Sequence, residues 1–117
     1  MINVLRLRTG KENIPKLQEM FPSGDPAETK TGLAVFLNED PDKALEQIKN
    51  SADDLKELGW YKELDMGVEL DSKSFGKTTL VITPENLELL SYVGIQLVIT
   101  VYVDDKPFWT EFVIVDK

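Results

Sequence analysis

Gly94 to Val115 reads GIQLVITVYVDDKPFWTEFVIV, and the fold is decided there. Two segments rich in β-branched and aromatic residues flank the polar break Asp104-Asp105-Lys106-Pro107. Runs of that kind bounded by Asp and Pro predict two strands joined as a hairpin. In the first segment Ile95, Leu97, Ile99, Val101 and Val103 share one face, because side chains alternate with period two. Gln96, Val98, Thr100 and Tyr102 share the other, which is half apolar as well. A strand coated on both faces belongs inside a sheet, with other elements to cover it.

Outward from that hairpin, Thr83-Pro84 has the cap-then-proline signature of a helix start. Leu87, Leu90 and Tyr92 or Val93 supply its apolar side, and Gly94 closes it with Ile95 against Leu90. Met66–Leu70 and Thr78–Thr83 are predicted as two strands of a second hairpin. Before them Asp40 caps a helix with Pro41 at its first position, and Leu45, Ile48, Ala52 and Leu55 form one stripe. Gly59 suits the left-handed end of that helix, which places Trp60 back against Leu55. Gly32–Leu37 is a short buried strand, and Pro22–Thr31 is polar and reads as a loop. Ile14, Leu17 and Phe21 mark a short helix capped by Asn13 with Pro15 in its first turn, and Ile2–Arg8 alternates as a first strand. The order is β-α-β-α-β-β-α-β-β. It predicts a single α+β domain over residues 1–117, a mainly antiparallel sheet of five to six strands with two to three helices packed on one face.

Composition narrows the chemistry. The 117 residues contain neither Cys nor His. Disulfides, thiolate metal sites and cysteine nucleophiles are excluded, and so are the commonest general base and the Ser-His-Asp arrangement. A catalyst built from this chain would work with carboxylates, Lys, Tyr or Ser. The formal charge is −8, from 21 acidic against 13 basic residues, of which two are Arg. Phosphate neutralisation dominates nucleic-acid affinity, so nucleic acid is a poor partner, and an anionic membrane is disfavoured for the same reason. Such acidity is accounted for by solubility alone, or by a basic protein partner. Met1–Leu7 alternates like a strand and not like a secretory leader, and no apolar run approaches the ~20 residues of a spanning helix. The expected location is cytoplasmic.

Three motifs were weighed for chemistry. Phe75-Gly76-Lys77-Thr78 resembles the end of a phosphate-binding loop, but Asp71 stands where the first Gly belongs and a strand is expected to follow, so a turn accounts for it. Asn38, Asp40 and Asp42 have the spacing of the first calcium ligands in an EF-hand, yet Pro41 interrupts the loop and Lys49 replaces its final Glu. A helix start explains those residues better, and no metal is assigned. The helix after Pro41 carries Glu46, Asn50, Asp53 and Glu57 in one outer row, with Asp54 beside it. Asp53 and Glu57 are like charges at i, i+4, and Asp53, Asp54 and Glu57 occupy the last turns, where the dipole favours cations. A solvated face is what most surface helices carry. A local rule broken without compensation points to function, so Glu46, Asp53, Asp54 and Glu57 are the candidate partner-binding residues. No catalytic residue or cofactor is assigned.

Ile14-Pro15-Lys16-Leu17, Thr31-Gly32-Leu33 and the run ITPENLELLSYVGIQLVITVYVDD over residues 82–105 resemble, in order and spacing, a large bacterial family of small uncharacterised α+β domains. Where that family shows Trp after its Thr-Gly-Leu, this chain has Ala34. The resemblance implies a fold and no activity. Function classes that remain are a non-catalytic acidic protein-binding domain, immunity-like or regulatory; a carboxylate-dependent hydrolase acting on a carbohydrate, with Asp104 and Asp105 near Tyr102 and Trp109; and a homo-oligomeric structural subunit pairing through a sheet edge.

Overall fold

The computed structural model describes residues 2–70 and 80–103, and the backbone of residues 106–114. The first strand, β1 (Asn3–Leu7), leads through a 3₁₀ turn to α1 (Ile14–Met20). A hairpin of β2 (Ala27–Thr29) and β3 (Gly32–Phe36) follows, then α2 (Pro41–Asn50) and α3 (Ala52–Lys56). Next come β4 (Lys62–Leu70), α4 (Pro84–Val93), and the closing pair β5 (Ile95–Val103) and β6 (Lys106–Ile114). Among the described residues these strands make one sheet in the order β2-β3-β1-β4-β5-β6. Five of them run five to nine residues, and β2 is a three-residue edge.

The class is α+β and the sheet mostly antiparallel, with one exception. β4 and β5 are parallel, Leu64 opposite Leu97 and Met66 opposite Ile99. Parallel neighbours need a crossover, and α4 supplies it. The expected second hairpin is therefore corrected: Leu80–Thr83 is irregular chain entering α4, and the rest of that predicted connection, residues 71–79, lies outside the described residues. The closing hairpin is as read, with Val98 opposite Val113 and Val103 opposite Lys106, although Asp104 and Asp105 lie outside the described residues. The loop expected over Pro22–Thr31 holds β2, which pairs Ala27 with Ala34.

One face of the sheet carries Leu5, Leu7, Leu33, Val35, Leu64, Met66 and Leu97, all buried. Leu17 and Phe21 from the α1 segment, Leu45 and Ile48 of α2, Leu55 of α3, and Leu90 and Val93 of α4 join them in a single cluster. Each such side chain contributes roughly 1.5–3 kcal/mol relative to exposure. The opposite face holds Arg6, Glu63, Asp65 and Thr100, with Tyr102 lying over Gly67. The helices that join the core cluster thus cover one face.

The helix count is the second correction: four α-helices stand among the described residues against the two to three expected. The single helix predicted from Pro41 breaks at Ser51, whose φ −119° and ψ 18° leave the helical region. Its apolar stripe survives the break, since Leu45, Ile48 and Leu55 are all buried. The predicted caps form where proline follows them. Asp40 Oδ1 accepts from Asp42 N at 3.0 Å, and Thr83 Oγ1 accepts from Asn86 N at 3.2 Å. Asn13 is a third correction. It makes no cap bond; its Nδ2 donates to Thr9 Oγ1 at 2.6 Å instead.

Candidate functional site

The break at Ser51 changes the meaning of the acidic row. Asp53 and Asp54 occupy the first turn of α3, where the exposed N–H groups favour negative charge. Their positions are therefore locally favourable, and the broken rule that singled them out does not hold for them. Glu57 is the C-cap of α3 and remains poorly placed, with the buried Lys62 as its nearest compensation. Lys62 is 6% exposed, and its Nζ reaches the Lys56 carbonyl at 3.5 Å. Burial lowers its pKa, and the charge of Glu57 works the other way.

The four expected partner-binding residues do not form one patch. Glu46 lies exposed on α2. Asp54 borders a hollow with Lys16, Glu19, Met20 and Ser51, on the α1 side. Asp53 and Glu57 face the other way, toward α4, and both act on Tyr92. The Tyr92 hydroxyl donates to Asp53 Oδ1 at 2.7 Å, and the ammonium of Lys56 stands 4.1 Å from the centre of its ring. The hydrogen bond to Asp53, then the charge of Asp53, raise the Tyr92 pKa above its ordinary 10.0. A second hollow beside the ring is lined by Lys49, Glu85, Asn86, Glu88 and Leu89.

The centre of this surface is thus an aromatic ring that is 51% exposed. Asp53 and Glu57 act on it from the α3 side, and Glu85 and Glu88 of α4 line the hollow beside it. Among the described residues none of these carboxylates makes an ion pair; the salt bridges run from Arg6 to Glu63 and to Asp65, both at 2.9 Å, on the far side of the sheet. Lys56, the nearest cation, is engaged by the ring.

Sequence reading missed Tyr92, Glu85 and Glu88. Periodicity left Tyr92 or Val93 as the inward residue of the helix, and Val93 takes that place at 2% exposure. Only the packing of α3 against α4 brings the two acidic pairs together.

Other candidate chemistry is accounted for locally. The side-chain oxygens of Asn38 and Asp40 accept from Asp40 N and Asp42 N at 2.9 and 3.0 Å, as helix-entry residues do. Among the described residues no group of three or more acidic side chains gathers for a metal ion. Phe75–Thr78, Asp104, Asp105 and the Trp109 side chain lie outside the described residues. The described carboxylates that share a hollow, Glu85 with Glu88 and Glu19 with Asp54, are all exposed. No helix among the described residues is long and apolar enough to cross a membrane.

Comparison of the chain with protein-family models, with curated proteins and with solved structures found no match.

Proposed function

We propose that this chain is a non-catalytic protein-binding domain that engages a basic partner through Tyr92 and the carboxylates around it. The observation that carries the reading is an exposed aromatic ring beside carboxylates that make no ion pair among the described residues, with its hydroxyl tied to Asp53 at 2.7 Å. Tyr and Arg dominate the buried centres of protein interfaces. A ring fixed between two helices loses little freedom on binding. A guanidinium or ammonium of the partner would lie against the ring edge and meet Asp53 and Glu57 on one side, Glu85 and Glu88 on the other. The net charge of −8 steers such a partner from a distance.

Two variants test this reading. Affinity capture from the source cell at low salt should retain a partner of high pI that washes off as salt rises. Tyr92→Ala should abolish retention, and Asp53→Lys with Glu57→Lys should weaken it by roughly tenfold or more, about 1.4 kcal/mol per decade. Unchanged capture by both variants would remove this surface from the interface.

A further inference from the structure

On the opposite side of the α3–β4 junction the chain builds a surface of the other sign. A hollow is lined by Arg8 and Thr9 at the end of β1, Gly10, Lys30 and Thr31 in the β2–β3 turn, and Gly59 and Trp60 before β4. We propose that this hollow binds a small ligand in which one anionic group, phosphate or carboxylate, is joined to a flat ring.

Charge is the first reason. In a protein of net charge −8, two cations bordering one hollow reverse the sign locally, whereas Arg6 is neutralised by two carboxylates. Arg8 and Lys30, at one hollow, make no ion pair among the described residues. The surrounding negative charge repels a polyanion, while two local cations suffice for a single anionic group.

Geometry is the second. The Arg8 guanidinium carbon stands 5.3 Å from the centre of the Trp60 ring and 5.2 Å from that of Tyr61. Both rings attract the guanidinium through its positive charge, and its N–H donors make no hydrogen bond among the described residues. The two rings therefore hold at the hollow a fork that matches a carboxylate or phosphate. Thr9 Oγ1 accepts from Asn13 Nδ2 at 2.6 Å, so its own hydrogen remains for donation. Glu12, whose carboxylate lies against Gly10, marks the acidic rim of the hollow.

Trp60 is the third. It is 77% exposed, which corrects its expected packing on Leu55: α3 ends at Lys56 and Leu58 takes the buried place. Arg8 occupies its ring on one side, and the remainder of that large apolar surface is open to solvent. A flat group laid on that open surface of Trp60 would bring its anion to the guanidinium of Arg8 and the ammonium of Lys30.

Trp60 reports on its own occupancy. The test is fluorescence titration of the whole chain with adenosine monophosphate and with benzoate, using adenosine and inorganic phosphate as the separate halves of the first probe. Binding of adenosine monophosphate alone assigns the phosphate source, and binding of benzoate alone the carboxylate source; each supports the site. Arg8→Gln and Lys30→Gln should each weaken binding by roughly tenfold, and Trp60→Phe should remove the signal. The proposal is overturned if neither probe binds below about 1 mM, if adenosine binds as well as its monophosphate, or if the signal survives in Trp60→Phe. Asp53→Lys with Glu57→Lys should leave this titration unaltered, so the site stands or falls apart from the acidic surface around Tyr92.

Discussion

Gly94 ends α4 with φ +81°, whereas Gly59, φ +69°, lies two residues beyond the Glu57 cap of α3 and not at the helix end expected of it, and the two answer to different constraints. A Cβ on Gly94 would meet nothing within 4 Å, so Gly94→Ala carries only the conformational cost, about 1–2 kcal/mol. A Cβ on Gly59 would stand 2.7 Å from the carbonyl oxygen of Arg8, which is backbone and cannot step aside. Gly59→Ala should therefore destabilise by clearly more than Gly94→Ala in urea unfolding; equal losses would mean that β1 yields at Arg8. Tyr92 supplies a pH prediction at the same scale. Its protonated form is favoured in the fold, so the contribution is complete below pH 10.0 and is lost as pH rises through the raised value. Tyr61 behaves alike, raised first by burial and then by Glu63, to which its hydroxyl donates at 3.1 Å. Lys62 opposes them, since burial favours its neutral form and deprotonation relieves the fold. Phenol absorbance should show Tyr92→Phe removing one late-titrating group, and an ordinary value for Tyr92 would contradict the bond to Asp53.

Among the elements, the boundary between α2 and α3 separates two readings that differ in sign. In one continuous helix Asp54 lies near the C-terminal end, and Asp54→Lys would stabilise. With the break at Ser51, Asp54 lies in the first turn of α3, and the same change should destabilise by roughly 0.3–1 kcal/mol and lower the melting temperature. A raised melting temperature would restore the single helix. The sequence carried a sign of the break, because Ser51-Ala52-Asp53-Asp54 has the Ser-x-x-acid spacing of a new helix start. The unbroken stripe Leu45, Ile48, Leu55 concealed it. Features set by neighbours in the chain were legible: the closing hairpin, the Asp40-Pro41 and Thr83-Pro84 entries, and the Gly94 exit. Features set by distant partners were not. Pairing β4 with β5 depends on α4 spanning them, and Trp60 was misplaced because Leu58, one residue before Gly59, is the better fit to the core. The surface around Tyr92 was half legible, its α3 carboxylates visible and its α4 half hidden until the helices met.

Taken whole, the molecule separates its surface chemistry by position: carboxylates around an aromatic ring where α3 meets α4, cations around another aromatic ring where β1, the β2–β3 turn and the start of β4 converge. Both rest on one sheet, whose order places β1 between β3 and β4. That placement has a consequence in time. Synthesis delivers β1 and β3 early, and Leu5 can find Val35 while much of the chain is still unmade. The other side of β1 has no partner until Leu64 and Met66 emerge. Until then β1 exposes a bare hydrogen-bonding edge, the state in which strands pair with the wrong chain. Ribosome-stalled chains ending before Lys62 should accordingly recruit chaperones, and chains extended past Leu70 should release them.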